Sequence, residues 1–299
     1  MLKVSNVTKK YGDFIALDNL SFDAEEGCIF GLLGLNGAGK TTTFRSILGL
    51  IDDYEGKITL NNKKIDYNIT DKIGFLPEER SLLTKLTVYE QMILYGRLKS
   101  MTESEINNRL DYYLDYFNIK DYKYRKIKEL SKGNQQKIQF ISAIINDPKL
   151  LILDEPFSGL DPLNIEVFKK VILELKEKGT IIIFSSHRME HVEMFCEKLL
   201  ILVKGKTVLT GNLKEIKKKY KKKNIIINGE IDKEELKELE GVESITKEND
   251  DYIIKVSNDK YVSDVFNVIA KSKKITKFSV EEPGLNEIFL SVVGETYEK

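Results

Sequence analysis

The sequence is poor in residues that build disulfides and metal sites. Its two cysteines, Cys28 and Cys196, lie far apart and show no spacing of a disulfide framework or a zinc site. We therefore expect a protein of a reducing compartment. Its two histidines, His187 and His191, are four residues apart, so they could share a helix face as a metal pair. They do not form the H-E-x-x-H pattern, and we interpret His191 as an ordinary helix residue.

The sequence also lacks net charge and long apolar runs. Lys+Arg and Asp+Glu both number 47, so no overall field attracts the protein to nucleic acid, and no nucleic-acid partner is expected. Apolar runs such as residues 199–203 are far shorter than the roughly 20 residues that span a bilayer. The first residues show no secretory signal pattern. If the protein serves a membrane, we expect another chain to provide the membrane-spanning part.

Short apolar runs typical of buried strands alternate with segments of helical periodicity. The runs are residues 28–33, 72–76, 150–154, 180–185 and 199–203. This alternation predicts an α/β fold with a mostly parallel sheet. Between the second and third runs, residues 87–147 have helical spacing without a strong strand. They are predicted to form an inserted helical subdomain.

A lysine-rich segment marks a change in composition after residue 215. Residues 217–223 contain six lysines around Tyr220, so we predict a linker at 216–223, with a local nucleic-acid contact as the less favoured alternative. The remaining residues, 224–299, alternate as βαββαβα. The predicted organisation is therefore a large domain at 1–215, the linker, and a small α+β domain at 224–299.

The strongest local motif follows the first buried run. It matches G-x-x-x-x-G-K-[ST] and reads Gly34-Leu35-Asn36-Gly37-Ala38-Gly39-Lys40-Thr41, which we call the phosphate loop. A helix pattern at 42–50 comes next, so backbone N–H groups and a helix N-terminus can face anionic oxygens. Lys40 is expected to reach the β- and γ-phosphates of ATP, and the Thr41 hydroxyl to bind Mg²⁺. The expected nucleotide contacts in this segment are Gly34, Asn36, Gly37, Ala38, Gly39, Lys40, Thr41 and Thr42.

A second motif consists of four aliphatic residues followed by two acids, Asp154 and Glu155. A buried strand at 150–154 would deliver Asp154 to the carboxyl edge of the sheet, beside the phosphate loop, where it can hold Mg²⁺ through water. Glu155 is predicted to activate the attacking water as general base. The alternative is a pair of acids that only caps the strand end, which the phosphate loop makes the weaker interpretation.

Further motifs resemble those of the ATP-binding-cassette (ABC) family. The signature segment, Leu130-Ser131-Lys132-Gly133-Asn134-Gln135-Gln136, resembles the ABC signature motif. Residues 158–161 resemble its D-loop, His187 its switch histidine, and Tyr11 the aromatic residue on which adenine stacks. The resemblance covers residues 1 to about 215. It implies a P-loop NTPase cassette with a RecA-like, mostly parallel sheet, an antiparallel β portion and an inserted helical subdomain.

The resemblance also implies how the protein works. Cassettes of this family pair head to tail, as homodimers or heterodimers with another ABC ATPase subunit, and hold two ATP molecules in the interface. Each ATP is then held by the phosphate loop of one chain and by the signature of the other, through Ser131, Gly133 and Asn134, with Asp161 also at the nucleotide. His187 would contact the γ-phosphate. The implied partners are permease subunits, which would place the chain at the cytoplasmic face of the membrane.

Three stretches, residues 74–80, 130–137 and 185–191, resemble the ATPase subunits of type-two ABC exporters, including those named for sodium extrusion. Members of that branch also carry a C-terminal appendix, and the resemblance implies export. The alternative is a soluble ABC ATPase of translation or DNA maintenance. Such relatives usually have two cassettes, or a long coiled coil between phosphate loop and acidic strand, and here only residues 41–153 separate those motifs.

Three positions depart from the family pattern. Glu78 stands where most members have a glutamine that touches Mg²⁺, and a carboxylate there can still bind the ion while changing the local charge. In the signature segment, Lys132 replaces a glycine and Asn134 replaces a glutamine. We interpret these as marks of a subfamily that leave the clamping of ATP intact.

Overall fold

The computed structural model describes residues 1–65, 67–272 and 274–297. The chain forms two compact units, Met1–Thr210 and Gly211–Lys299, and each is described by itself. No helix among the described residues is long and apolar enough to cross a lipid bilayer.

The first unit contains two sheets and the helices that pack on them. Its strands are β1 (Leu2–Tyr11), β2 (Phe14–Ala24), β3 (Ile29–Gly34), β4 (Glu55–Leu60), β5 (Lys63–Lys64), β6 (Ile73–Leu76), β7 (Leu150–Asp154), β8 (Ile181–Ser185), β9 (Lys198–Val203) and β10 (Lys206–Asn212). Its helices are α1 (Lys40–Ile47), α2 (Val88–Leu98), α3 (Glu103–Tyr116), α4 (Lys132–Ile144), α5 (Pro162–Glu177) and α6 (Met189–Phe195). The five predicted apolar runs thus correspond to β3, β6, β7, β8 and β9.

The larger sheet confirms the predicted α/β architecture. Its strand order is β10-β9-β3-β8-β7-β6, and the pairs from β9 to β6 are parallel. Every residue of β7 and β8 is buried, as expected for strands covered on both faces. The carboxyl ends of β3, β7 and β8 therefore meet at one edge, where the candidate site lies. The antiparallel portion is the smaller sheet, in the order β2-β1-β4-β5.

Helices occupy most of the segment between β6 and β7. Both α2 and α3 begin with a capping box, in which Thr87 and Glu90, and likewise Thr102 and Glu105, satisfy each other's backbone N–H groups. Helix α4 begins at Lys132. The cause is Ser131, whose side chain accepts from the N–H of Asn134 and so caps a polar first turn.

The second unit contains α7 (Leu213–Lys219), β11 (Lys223–Gly229), α8 (Lys233–Lys237), β12 (Val242–Glu248), β13 (Asp251–Val256), α9 (Val262–Ile269), β14 (Ile275–Glu281) and α10 (Leu285–Tyr297). The order from β11 to α10 confirms the predicted βαββαβα pattern. The strands form an antiparallel sheet in the order β12-β13-β11-β14. One cluster of its core is made of buried aliphatic side chains: Ile225, Ile227, Leu236, Ile254, Val256, Val265 and Ile269.

The lysine-rich segment at 216–223 is partly regular in the structure. Its first half lies in α7, because Asn212 caps that helix and Leu213 and Ile216 are buried. Strand β11 already begins at Lys223. Residues 220–222 join the two elements.

Candidate nucleotide site

The phosphate loop connects β3 to α1, and its glycines adopt backbone conformations that other residues avoid. Gly39, at the N-cap of α1, has φ 110°, and a Cβ atom there would lie 2.8 Å from the Ala16 carbonyl oxygen. The Lys40 ammonium donates to the Gly34 carbonyl at 2.7 Å and to the Leu35 carbonyl at 3.4 Å. The loop thus forms a tight turn over a helix N-terminus with a cation above it, an arrangement that attracts phosphate.

A cavity of about 430 Å³ opens beside this loop. It is lined by Tyr11, Phe14, Ala16, Leu35, Asn36, Gly37, Ala38, Gly39, Lys40, Thr41, Thr42, Glu78 and Asp154. The structure therefore brings together residues 36–42, Tyr11, Glu78 and Asp154, which were predicted to form one site. The predicted residues Gly34, Ser131, Gly133, Asn134 and Asp161 do not line this cavity.

Two exposed aromatic side chains form the outer wall of the cavity. Tyr11 and Phe14 are paired at the end of the β1–β2 hairpin, and their exposed fractions are 48% and 64%. The Lys9 ammonium lies 4.5 Å from the centre of the Tyr11 ring and 2.5 Å from Asp53 Oδ2. Lys9 is almost completely buried, so its contact helps to fix the position of the Tyr11 ring. Phe14 was not predicted from the sequence, although an aromatic residue just after the Gly12 turn was a visible signal.

Asp154 ends β7 and is nearly buried. Burial raises the pKa of its carboxyl group, and the nearby charges of Glu78 and Glu155 raise this pKa further. The Ser185 hydroxyl, which donates to Asp154 Oδ1 at 2.5 Å, and the charge of Lys40 act in the opposite direction. A cation beside Asp154 would therefore stabilise the charged form of this carboxyl group.

Glu155 follows directly, and its φ of 49° turns the chain so that its side chain is held separately from Asp154. Its Oε1 accepts a hydrogen bond from the His187 backbone N–H at 2.5 Å and lies 3.0 Å from His187 Nδ1. Its Oε2 accepts from the Ser186 hydroxyl at 3.1 Å. The carboxylate is nearly buried, whereas the His187 side chain is 76% exposed. The two serines were not predicted from the sequence, because their partners are more than thirty residues away.

The oxygen ligands at the cavity fit a magnesium ion. Thr41 supplies a hydroxyl and Glu78 and Asp154 supply carboxylates, which are the ligands that Mg²⁺ prefers. Among the described residues no group of three or more His, Cys, Asp or Glu could hold a metal by itself. A cation here would complete its coordination with phosphate oxygens and water, as Mg²⁺ usually does in nucleotide sites.

The remaining predicted residues lie at other helix starts. Ser131 caps α4, and Asp161 caps α5 by accepting from the Asn164 N–H at 2.9 Å, a backbone hydrogen bond that lowers the pKa of Asp161. His191 is buried and packs edge-on against Phe157, with ring centres 4.9 Å apart. Burial lowers the pKa of His191, so this residue belongs to the core.

A phosphate loop between a strand and a helix, with an acidic strand in the same parallel sheet, defines a P-loop NTPase. Comparison with known proteins makes the class more specific. The family model of the ABC transporter matches residues 17–158, and that of the ATP-binding protein DrrA1-3-like, C-terminal domain matches residues 211–293.

Relatives cover the whole chain. The uncharacterized ABC transporter ATP-binding protein YhaQ of Bacillus subtilis (strain 168) is 49% identical over 298 residues, which is 100% of both chains. The linearmycin resistance ATP-binding protein LnrL of the same organism is 30% identical over 308 residues, 99% of each. The dimeric structure of MJ0796, a bacterial ABC transporter cassette, matches with a TM-score of 0.64 and 28% identity over 71% of this chain and 99% of that chain.

The chain belongs to the ABC transporter ATP-binding proteins, and it is an ATP-binding and ATP-hydrolysing subunit. These relatives are transporter proteins, which favours this interpretation over the translation and DNA-maintenance alternative.

Proposed function

We propose that this chain binds ATP with Mg²⁺ and drives export through a separate membrane subunit. The observation that carries the proposal is the convergence of the phosphate loop, Glu78 and Asp154 on one cavity, with Glu155 held at the neighbouring strand end. Lys40 and the loop N–H groups would bind the phosphates, and Tyr11 and Phe14 would cover the adenine. Export is inferred from the type-two exporter resemblance and from relatives named for linearmycin resistance and lipopolysaccharide export.

In the proposed reaction, Glu155 accepts a proton from the water that attacks the γ-phosphate. His187 and Ser186 hold both carboxylate oxygens in place, so that the base is oriented before the nucleotide arrives. Thr41, Glu78 and Asp154 would hold Mg²⁺, which neutralises charge on the phosphates when bound. The exposed ring of His187 would turn from its contact with Glu155 toward the γ-phosphate.

The proposed working form is a pair of cassettes. Ser131 begins a helix and lies outside the cavity, so its N-terminal turn is available to an anion held by a second chain. Gly133 and Asn134 belong to the same turn, and Asp161 caps the neighbouring α5. MJ0796, which resembles this chain, was solved as a dimer. The partner cassette is a second copy of this chain or another ABC ATPase subunit.

A separate apolar groove of about 310 Å³ is the proposed docking site for a permease segment. Leu50 and Leu98 line it together and are 70% and 68% exposed, so the groove presents an apolar surface of the kind that marks protein contacts. Ser81 and Leu82 also line it, and they belong to the segment at 77–86 that carries Glu78. A permease segment in this groove would thus contact the same loop as the nucleotide, at the cytoplasmic face of the membrane.

The test uses the Glu155→Gln variant, which should bind ATP without hydrolysing it. The tagged variant is purified with ATP from detergent-solubilised membranes of its own cell, and co-purifying proteins are identified. A multi-span membrane protein in comparable amount is expected, and Leu98→Asp in the same background should reduce its recovery. Ribosomes, DNA or no partner in repeated trials would contradict the proposed function.

A further inference from the structure

We infer that Gln139, in the middle of α4, is a positioning residue that holds Glu78 for the cation of the nucleotide site. The inference rests on the proposed function, since it takes Glu78 as a ligand of Mg²⁺. It names a residue that belongs to none of the motifs of the site.

The contact is made by one buried amide. Gln139 is 3% exposed, and its Nε2 donates to the carbonyl oxygens of Pro77 at 3.2 Å and of Glu79 at 3.1 Å. Pro77 and Glu79 are the residues before and after Glu78, so the amide holds the backbone on both sides of that residue. Two hydrogen bonds from one buried side chain fix the local path of the backbone, because breaking them would leave polar groups without partners.

The orientation of the amide follows from its partners. Both neighbours are carbonyl oxygens, so only the NH₂ end of Gln139 can satisfy them. The Oε1 atom is buried and accepts no hydrogen bond within the described part of the chain. A leucine at this position would fill similar space and lose both bonds. A glutamate would place an oxygen where a donor is needed.

Glu78 needs such a support because its side chain is exposed at the cavity wall and lies in a segment without regular structure. A flexible carboxylate would lose conformational entropy on binding a cation, and a fixed backbone reduces that loss. Glu78 and Asp154 line the same cavity, so the two carboxyl groups already face one site. Gln139 therefore preorganises one of the two carboxylates.

The same helix connects this support to the signature segment. Ser131 caps α4, and Gln139 lies about 12 Å further along the helix axis. One turn before Gln139, the Gln136 amide donates to the carbonyl of Pro156, the residue after Glu155. A shift of α4 would consequently move the backbone beside both Glu78 and Glu155.

The chain offers a matched control at the other end of the same loop. Gln91 is fully buried, its Oε1 accepts from the Leu83 N–H at 2.7 Å, and its Nε2 lies 3.4 Å from Ser142 Oγ of α4. Gln91→Leu would loosen the loop away from Glu78. Comparison of Gln91→Leu with Gln139→Leu therefore separates a general loosening of the loop from a specific loss of the support of Glu78.

The experiment measures binding of the non-hydrolysable analogue AMP-PNP to the full chain by calorimetry, with Mg²⁺ and with EDTA. The Kd in EDTA divided by the Kd with Mg²⁺ reports how much the cation ligands contribute to nucleotide binding, and measuring this ratio needs no turnover. In Gln139→Leu this ratio should fall about tenfold, the effect of one charge-assisted contact. The Kd in EDTA should change less than about twofold, because Gln139 does not line the cavity. Gln139→Glu keeps the volume of the side chain and should lower the ratio in the same way. It replaces the leucine variant in the test if that variant folds poorly.

A double-mutant cycle decides whether the effect passes through Glu78. In the Glu78→Ala background, Gln139→Leu should change the ratio less than about twofold. An unchanged ratio in both Gln139 variants, an equal fall in Gln91→Leu, or a full fall in the Glu78→Ala background would each overturn the role of Gln139. If the Glu155→Gln protein recovers no membrane partner in the co-purification test, the proposed function is overturned and this ratio is unaffected.

Discussion

At the residue scale, the site is organised by two consecutive serines at the end of β8. Ser185 donates to Asp154, and Ser186 donates to Glu155. Each acid at the end of β7 therefore has its own hydroxyl partner from the neighbouring strand. The two acids nevertheless differ, because Asp154 faces the cavity while Glu155 is held by the His187 backbone N–H.

The raised pKa of Asp154 predicts that this residue lowers the stability of the nucleotide-free fold while it supports the binding of Mg²⁺ with ATP. Its unfolded pKa is ordinary and its folded pKa is raised, so ionised Asp154 disfavours the nucleotide-free fold once the pH rises through the folded value. Asp154→Asn should therefore raise the Tm of the nucleotide-free protein at neutral pH by about 2–4 °C. The gain should shrink toward acid pH, where wild-type Asp154 is protonated, and binding of Mg²⁺ with ATP should weaken.

Thermal denaturation between acid and neutral pH checks this. Asp53→Asn serves as a control of opposite sign, because the hydrogen bond from Lys9 lowers the pKa of Asp53. Its replacement leaves the buried Lys9 with a weaker partner and should lower the Tm at neutral pH. A gain for Asp154→Asn that is independent of pH would contradict the assignment to ionisation.

Ser186 is predicted to affect turnover and not nucleotide binding. Ser186→Ala removes the donor to Glu155 Oε2, so kcat should fall about tenfold, the usual effect of one hydrogen bond to a charged group. The KM for ATP should stay nearly constant, because Ser186 does not line the cavity. Steady-state ATPase kinetics measure both, and Ser186→Thr should restore kcat. A raised KM with unchanged kcat would assign Ser186 to binding instead.

At the element scale, the turn from β3 to α1 depends on particular glycines to different degrees. Gly37 has φ 78°, and no atom lies within 4 Å of the position that a Cβ would take, so Gly37→Ala should cost only the backbone term, about 1–2 kcal/mol. Gly39 has φ 110°, and its Cβ would also lie 2.8 Å from the Ala16 carbonyl and 2.9 Å from Leu17 Cδ2. Gly39→Ala should therefore cost about 3 kcal/mol or more.

Urea denaturation of the two variants compares these costs directly. The order matters more than the values, since the two alanines differ only in backbone angle and in what surrounds them. Equal losses of unfolding free energy would mean that the contacts of Gly39 relax without cost.

The elements predicted correctly share one physical property. Runs such as residues 150–154 are buried on both faces, so their hydrophobicity alone predicts a strand. The phosphate loop was also predictable, because its glycines, lysine and threonine are consecutive in sequence. The start of α4 is set by a cap residue and not by periodicity, because the Ser131 side chain accepts from the Asn134 N–H. Gln139 and Ser186 were missed because their bonds join residues that are remote in sequence, and no local pattern reports such pairs.

At the scale of the whole molecule, the second unit has the components of an independent domain. The side chains of its buried cluster around Ile225 and Ile254 lie between Ile225 and Ile269, and its four strands pair with one another. The segment at 220–222 precedes the first of these strands. A fragment of residues 221–299 would therefore keep this cluster complete.

We predict that this fragment folds cooperatively when produced alone, with a free energy of unfolding of about 3–5 kcal/mol, as expected for so small a core. Ile254 lies in the central strand β13 and is fully buried, so Ile254→Ala should remove about 2–5 kcal/mol and leave the fragment largely unfolded. Circular dichroism during urea titration measures both. The exposed Phe266→Ala is the matched control, and it should change the midpoint little because its ring is already 49% exposed. A fragment that unfolds without a cooperative transition would show that this core depends on residues before position 221.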